Sequence, residues 1–299
     1  MSATRCGVVA VVGAPNAGKS TLVNALVGQK VAITSAKAQT TRARMMGIAI
    51  AGESQIVLVD TPGIFTDTRR RLDRAMVAAA WGSAVDADAI ALVVDARVDP
   101  GARVEAILEG LADRPEPKLL VLNKVDIADK GKLLTTTAAL NARIGFADSF
   151  MISALTGDGV DDLKRALAAR MPEGEWHFPA EQVSDATDRM LAAELTREQI
   201  YRQLHEELPY ASGVRTEKYE ERRDGSVAIH QQILVARDSQ RAIVLGKGGA
   251  RLKEIGSKAR GELAELLGKP VHLFLHVKVD PKWDEDRDLF REIGLDWTE

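Results

Sequence analysis

The feature that most narrows the folds open to this chain is its opening run, CGVVAVVGAPNAGKSTLVNALVG, residues 6–28. Its first part is apolar at nearly every position rather than at alternate ones. A strand of that kind is buried on both faces, which belongs to a parallel sheet covered by helices on either side. A glycine-rich break and a helix-forming segment follow at once. The same grammar recurs in MMGIAIAGESQIVLVD, AIALVVDA, LLVLNKVD and FMISAL, each spaced from the next by a helix-length stretch. Only AGES, between two such runs, reads as a hairpin turn, making one pair antiparallel. The expected class is α/β over residues 1–175: a mostly parallel sheet with helices on both faces.

The break itself fits G-x-x-x-x-G-K-[ST]. In Gly13, Ala14, Pro15, Asn16, Ala17 and Gly18 the glycines let the backbone curl so that successive N–H groups face a phosphate. Lys19 adds positive charge, the Ser20 hydroxyl suits Mg²⁺, and Thr21 opens a helix whose N-terminal dipole favours the same anion. Further motifs choose the nucleotide. DTPG, which is Asp60, Thr61, Pro62 and Gly63, closes a strand; Asp60 can hold Mg²⁺, and nothing on Gly63 blocks its N–H from a terminal phosphate. NKVD, which is Asn123, Lys124, Val125 and Asp126, closes another. A carboxylate there accepts two hydrogen bonds from the N1–H and 2-amino group of guanine, a pair that adenine lacks, so Asp126 selects GTP. SAL, which is Ser153, Ala154 and Leu155, ends the next strand, where backbone N–H groups can meet the guanine oxygen.

Near residues 171–189 the apolar periodicity lapses and prolines appear. A linker is expected over 176–188 and a second domain over 189–299. That domain reads as a helix, two strands joined by Asp-Gly, two helices split by GKGG, a strand and a terminal helix. The net charge of −3 gives no global affinity for polyanions. Yet Arg237, Arg241, Lys247, Arg251, Lys253, Lys258 and Arg260 crowd around Gly246–Gly249. A G-x-x-G loop lets a nucleic-acid backbone come close, with bases on the adjoining apolar groove. Gly246, Lys247, Gly248 and Gly249 are therefore the candidate RNA loop, and Arg237, Arg241, Arg251, Lys253 and Lys258 its basic surround. His272 and His276 read as surface residues. The single Cys6, inside the first strand, precludes an internal disulfide and fits a reducing compartment. With no apolar run long enough to span a membrane, a cytoplasmic location is expected.

The set GAPNAGKS, DTPG, NKVD and SAL resembles the translation-factor class of P-loop GTPases. KAQTTRARMMGI, together with DTPGIFTDTRRRLDRAMVAAAW, resembles the bacterial Era family within it. The resemblance spans both domains and implies a Ras-like GTPase domain followed by an α+β type II KH domain. It implies that TTR is the first switch, with Thr41 closing over Mg²⁺ and the terminal phosphate and Thr40 as the alternative. It implies that Ile64 stands where Ras-like enzymes place a water-orienting glutamine, and that Asn16 matches a position that helps hold K⁺ in potassium-dependent relatives. Lys19, Thr41, Gly63 and Asn16 are then the catalytic set, and Ser20, Thr41 and Asp60 the metal set. The implied partners are GTP and GDP, the 3′ end of 16S ribosomal RNA and the 30S subunit. A role in small-subunit assembly, a monomeric state and peripheral contact with the inner face of the cell membrane complete the expectation. The alternatives are an RNA-binding adaptor with a catalytically weak nucleotide domain, or a GTPase of tRNA modification or large-subunit assembly.

Overall fold

The computed structural model describes residues 3–35, 37, 40–42, 45–64, 71–85 and 87–297. The first sheet has six strands, β1 (Arg5–Gly13), β2 (Met45–Ala51), β3 (Ser54–Asp60), β4 (Ala89–Asp95), β5 (Lys118–Asn123) and β6 (Asp148–Ile152), in the order β2-β3-β1-β4-β5-β6. Only β2 and β3 run antiparallel, joined at Gly52, whose φ of 59° lies in the left-handed region that glycine tolerates. The other pairs are parallel, in line with the doubly buried runs of the sequence.

Alternate residues of β1 feed two cores. Val9 and Val11 pack with α1 (Lys19–Val27) and α5 (Val160–Arg170), through residues such as Leu22, Leu163 and Leu167. Ala10 and Val12 pack on the other face with α2 (Arg71–Val85), α3 (Ala102–Ala112) and Leu140 of α4 (Lys130–Asn141). The parallel strands therefore end at one edge, and that edge carries the loops at 13–18, 60–64, 123–126 and 153–155. Cys6 is a buried free thiol that donates to Gln55 Oε1 at 3.5 Å.

The second sheet, β7 (Ser212–Glu221), β8 (Val227–Val235) and β9 (Val271–Val279), has β7 antiparallel and β9 parallel to β8. Helices α6 (Asp188–Gln203), α7 (Asp238–Leu245) and α8 (Ala250–Leu267) cover one face, burying Ile200, Val244, Ile255 and Leu263. On the other face His272 and His276 are exposed, flanking Phe274, which stacks on His230 at 4.6 Å.

Among the features that join the halves are a strap and a C-terminal cap. Residues 172–185 are strapped to the first sheet: the Cys6 amide donates to the Pro172 carbonyl, the Trp176 indole to Glu53, and the Ile48 amide to Val183. Beyond β9 a single turn at Trp283–Glu285 and the short α9 (Arg287–Glu292) pack Trp283, Leu289 and Phe290 against Leu72, Ala75 and Met76 of α2. Among the described residues no helix is long and apolar enough to cross a membrane.

Candidate nucleotide site and RNA groove

The loop from Gly13 to Gly18 needs its unusual residues. Asn16 holds φ 64° and Gly18 φ 97° at the head of α1. A Cβ on Gly18 would lie 2.2 Å from Asn123 Nδ2, and one on Gly63 would lie 2.8 Å from the Pro15 Cα. These close approaches seat DTPG and NKVD against the loop. A cleft beside the loop is lined by Pro15, Asn16, Gly18, Lys19, Ser20, Thr21, Thr41 and Gly63, among others.

Inside it, the candidate metal set comes together. Ser20 Oγ donates to Asp60 Oδ2 at 2.7 Å and lies 2.8 Å from Thr41 Oγ1, which is itself 3.4 Å from Asp60 Oδ2. Thr40 turns elsewhere, to the Lys37 carbonyl and the Ser35 hydroxyl, both at 2.7 Å. Burial pushes the Asp60 carboxyl up to about 6, against the hydrogen bond from Ser20 and the charge of Lys19. Its Oδ1 is buried without a hydrogen-bond partner among the described residues. An orphaned carboxylate oxygen beside two hydroxyls is an all-oxygen donor set that fits a hard divalent cation. Lys19 donates to the Gly13 and Ala14 carbonyls, each at 3.1 Å, and burial pushes its ammonium down to about 8. A phosphate would relieve that desolvation. Thr61 is buried, its hydroxyl donating to the Val11 carbonyl at 2.8 Å, which fixes the strand end ahead of Pro62 and Gly63. Ile64 is also buried, with its amide on the Gly13 carbonyl at 3.2 Å, so it is a core residue of the loop.

On the base side, Asn123 is a brace. Its Oδ1 accepts from the Lys124 and Ala154 amides at 2.8 and 2.9 Å, and its Nδ2 donates to the Ala17 carbonyl at 2.9 Å. Lys124 lies across the phosphate loop, donating to the Asn16 carbonyl and to Asp95. Val125 is buried beneath, and Asp126 is exposed on the turn that follows. The expectation for SAL narrows here. The Ser153 amide already donates to the Asp158 carbonyl and the Ala154 amide to Asn123. Of the three, the Leu155 amide makes no such bond among the described residues, and its side chain is 81% exposed.

In the second domain, Gly246, Gly248 and Gly249 all have positive φ, at 68°, 61° and 79°. A Cβ on Gly248 or Gly249 would meet nothing within 4 Å, so these two are open to close approach. A groove starts at Gly249 and runs along Leu252, Lys253, Gly256, Ser257 and Arg260 of α8, with Leu273 and Leu275 as its floor. Lys253 lines it. Lys258 pairs with Glu254 at 3.4 Å, and Arg251 donates to the Gln203 carbonyl at 3.1 Å. Arg237 precedes α7 at the end away from the loop, Arg241 lies midway along that helix, and neither lines the groove. The sequence reading left out Ser257, Gly256 and the apolar floor; an alternating strand facing an amphipathic helix was the signal that could have found them.

Residues 8–124 match the family model described as a 50S ribosome-binding GTPase, and residues 207–284 the model described as a KH domain. The chain is 64% identical over 299 residues to GTPase Era of Erythrobacter litoralis strain HTCC2594, covering 99% of this chain and 98% of that one. It is 59% identical over 294 residues to GTPase Era of Afipia carboxidovorans, covering 98% and 95%. Among solved structures it is similar to Era in complex with MgGDPNP and nucleotides 1506–1542 of 16S ribosomal RNA, with a TM-score of 0.92 and 37% identity over 97% of this chain and 99% of that one. The same figures hold for an Aquifex aeolicus Era variant bound to GDP and aluminium tetrafluoride.

Proposed function

The chain belongs to the Era family of GTPases, and from that premise we propose that it is a GTP-hydrolysing switch gripping the 3′ end of small-subunit ribosomal RNA during assembly of the small subunit. The observation that carries the nucleotide half is the buried, unpartnered Asp60 Oδ1 beside Ser20, Thr41 and Lys19. Ser20, Thr41 and Asp60 would hold Mg²⁺, as suits a family whose solved relative carries MgGDPNP. When bound, that ion neutralises charge on the phosphate oxygens. Lys19 exchanges the Gly13 and Ala14 carbonyls for phosphate oxygens, and the Gly63 amide faces the terminal phosphate. Asp126 reads the guanine edge, and Asn123 and Lys124 keep its turn against the phosphate loop.

With Ile64 buried, the water-orienting function falls to something other than a side chain at that position. Asn16 lines the cleft, and we assign it to help hold a K⁺ ion there. In the second domain the groove beside Gly249 takes the RNA bases while Gly248 and Lys247 meet the backbone. The relatives in large-subunit assembly or tRNA modification that the sequence left as alternatives are set aside because the likeness to Era runs through the second domain as well as the first. We take the protein to work as a cytoplasmic monomer of two domains meeting at residues 176–188, with peripheral membrane contact as the family's further implication. The test is a turnover assay with GTP and ATP, with and without an RNA oligonucleotide of the 16S 3′ end. Hydrolysis of GTP but not ATP, and binding of the RNA, are expected; loss of either half defeats that half.

A further inference from the structure

Thr41 and its neighbour Arg42 face different domains. Thr41 lies on Ser20 and Asp60, while the Arg42 guanidinium is buried in the second domain. Arg42 Nη1 donates to the Ser212 carbonyl at 2.7 Å. Its Nη2 contacts the Tyr210 carbonyl at 2.7 Å, the Tyr201 hydroxyl at 3.1 Å and the Pro209 carbonyl at 3.3 Å. The rings of Tyr201 and Trp283 flank it at 5.8 and 5.7 Å. Few side chains other than a guanidinium present so many donors in one plane. Lys37 makes a second grip on the same socket, donating to the Tyr201 carbonyl and, at 2.6 Å, to that of Leu204. These carbonyls close the C-terminal end of α6, where a positive charge is favoured. Arg251, two residues past the G-x-x-G loop, holds Gln203 of that helix end.

We infer that Arg42 is a positioning residue for the GTPase site: the second domain holds Arg42, and Arg42 holds Thr41 against Ser20 and Asp60. The site for the terminal phosphate is then complete only while the domains are docked. The diphosphate site, made by residues 13–20 and 123–126, is complete without it. The inference rests on the reading of Thr41 given above, and it adds the RNA domain to the parts that make the GTP state.

The test compares binding of fluorescently labelled GDP and GDPNP, and the Mg²⁺ concentration each requires, in the full chain and its variants. Arg42→Ala is expected to leave GDP affinity within about twofold of the parent. It should lower the preference for GDPNP by about 5- to 150-fold, the range of typical coupling between sites, and raise the Mg²⁺ needed for GDPNP alone. Arg42→Lys keeps the buried charge but loses the fork, and should fall between the two. A merely structural role would weaken GDP and GDPNP together, and that result overturns the inference. So does a parent-like ratio in Arg42→Ala or, if that variant does not fold, in Arg42→Lys. Thr41→Ala separates the two levels. If it keeps the parent ratio, the reading of Thr41 fails; if it loses the ratio while the Arg42 variants keep it, only the positioning role fails.

Discussion

The nucleotide cleft and the RNA groove hold their ligands by opposite means. In the cleft Lys19, Asp60, Asn123 and Ser153 are all buried and fixed by named partners at 2.7–3.1 Å. Their desolvation is already made, so a ligand that supplies the missing charge or donor is bound strongly and a mismatched one is rejected. In the groove Lys253 and Arg260 are exposed on α8, and Gly249 and Gly256 line it beside Leu252, Leu273 and Leu275. A ligand there would meet backbone open to close approach, screened charge and an apolar floor. The first region should discriminate steeply and the second gradually.

The largest effect should come from breaking the steep region at one atom. Asp126→Asn replaces a double acceptor with a group that donates on one side, and a polar mismatch of that kind costs about 10⁴-fold in binding. Titration with guanine and xanthine nucleotides checks it. Xanthosine triphosphate should overtake GTP, and unchanged GTP affinity would show that Asp126 does not read the base.

The next effect joins the regions. A switch requires that RNA favour the GTP form, and a coupling of about 1 to 3 kcal/mol is typical. Linkage then demands that RNA raise the preference for GTP over GDP by the same factor. Changing Lys247 and Gly248 together to Asp places negative charge on the exposed loop and alters no residue of the first domain. That variant should lose RNA binding and the RNA effect on nucleotide preference, yet hydrolyse GTP alone at the parent rate. Equal RNA affinity in both nucleotide states of the parent would leave two functions on one tether.

What could be read from the sequence follows the same division. Residues that act where the backbone makes a sharp, unusual turn leave a local signature. GAPNAGKS, DTPG and NKVD were legible because a phosphate or a base needs particular atoms at fixed spacing. The mostly parallel sheet was legible because doubly buried strands carry unbroken apolar runs. That an arginine of AQTTRARM could meet the second domain was legible, and Arg42 does so; its particular partners were not, since they lie 159 to 170 residues away and are mostly carbonyls, which any residue supplies. The buried polar residues of α6 were hidden likewise: Glu198 is fully buried yet bound to Lys30 and Thr34 of the first domain. The arginines of GIFTDTRRRLDRAM, like those of AQTTRARM, are candidates to meet the second domain or RNA; of these, Arg44, Arg69 and Arg70 lie outside the described residues. Arg71 stacks over the Trp297 ring at 4.4 Å.

A smaller effect sharpens the chemistry of the cleft. With Ile64 buried, hydrolysis by the parent should be slow, about 10⁻⁴ to 10⁻² s⁻¹ as in unassisted switches. If Asn16 helps hold K⁺, exchange of potassium for sodium should slow single turnover by about tenfold, near 1.4 kcal/mol of barrier. Asn16→Ala should abolish the difference between the two salts. Equal rates in both would remove the cation and leave the rest of the site intact.

The smallest expected effect tests whether the second region is as graded as its geometry implies. Lys253 lines the groove, so Lys253→Ala should reduce the slope of log K against log salt by about one. Arg237 precedes α7, which has eight residues and ends at Leu245 beside the loop. At 1.5 Å per residue that is roughly 12 Å, beyond the screening length of about 8 Å at physiological salt. For an RNA of about four nucleotides, the length that a G-x-x-G loop clamps, Arg237→Ala should therefore leave both affinity and slope unchanged. Lengthening the RNA until it passes the start of α7 should make Arg237→Ala visible while the Lys253 effect stays constant. If Arg237→Ala weakens the shortest RNA as much as Lys253→Ala does, the strand does not follow the groove beside α8, and the basic residues act as one diffuse field.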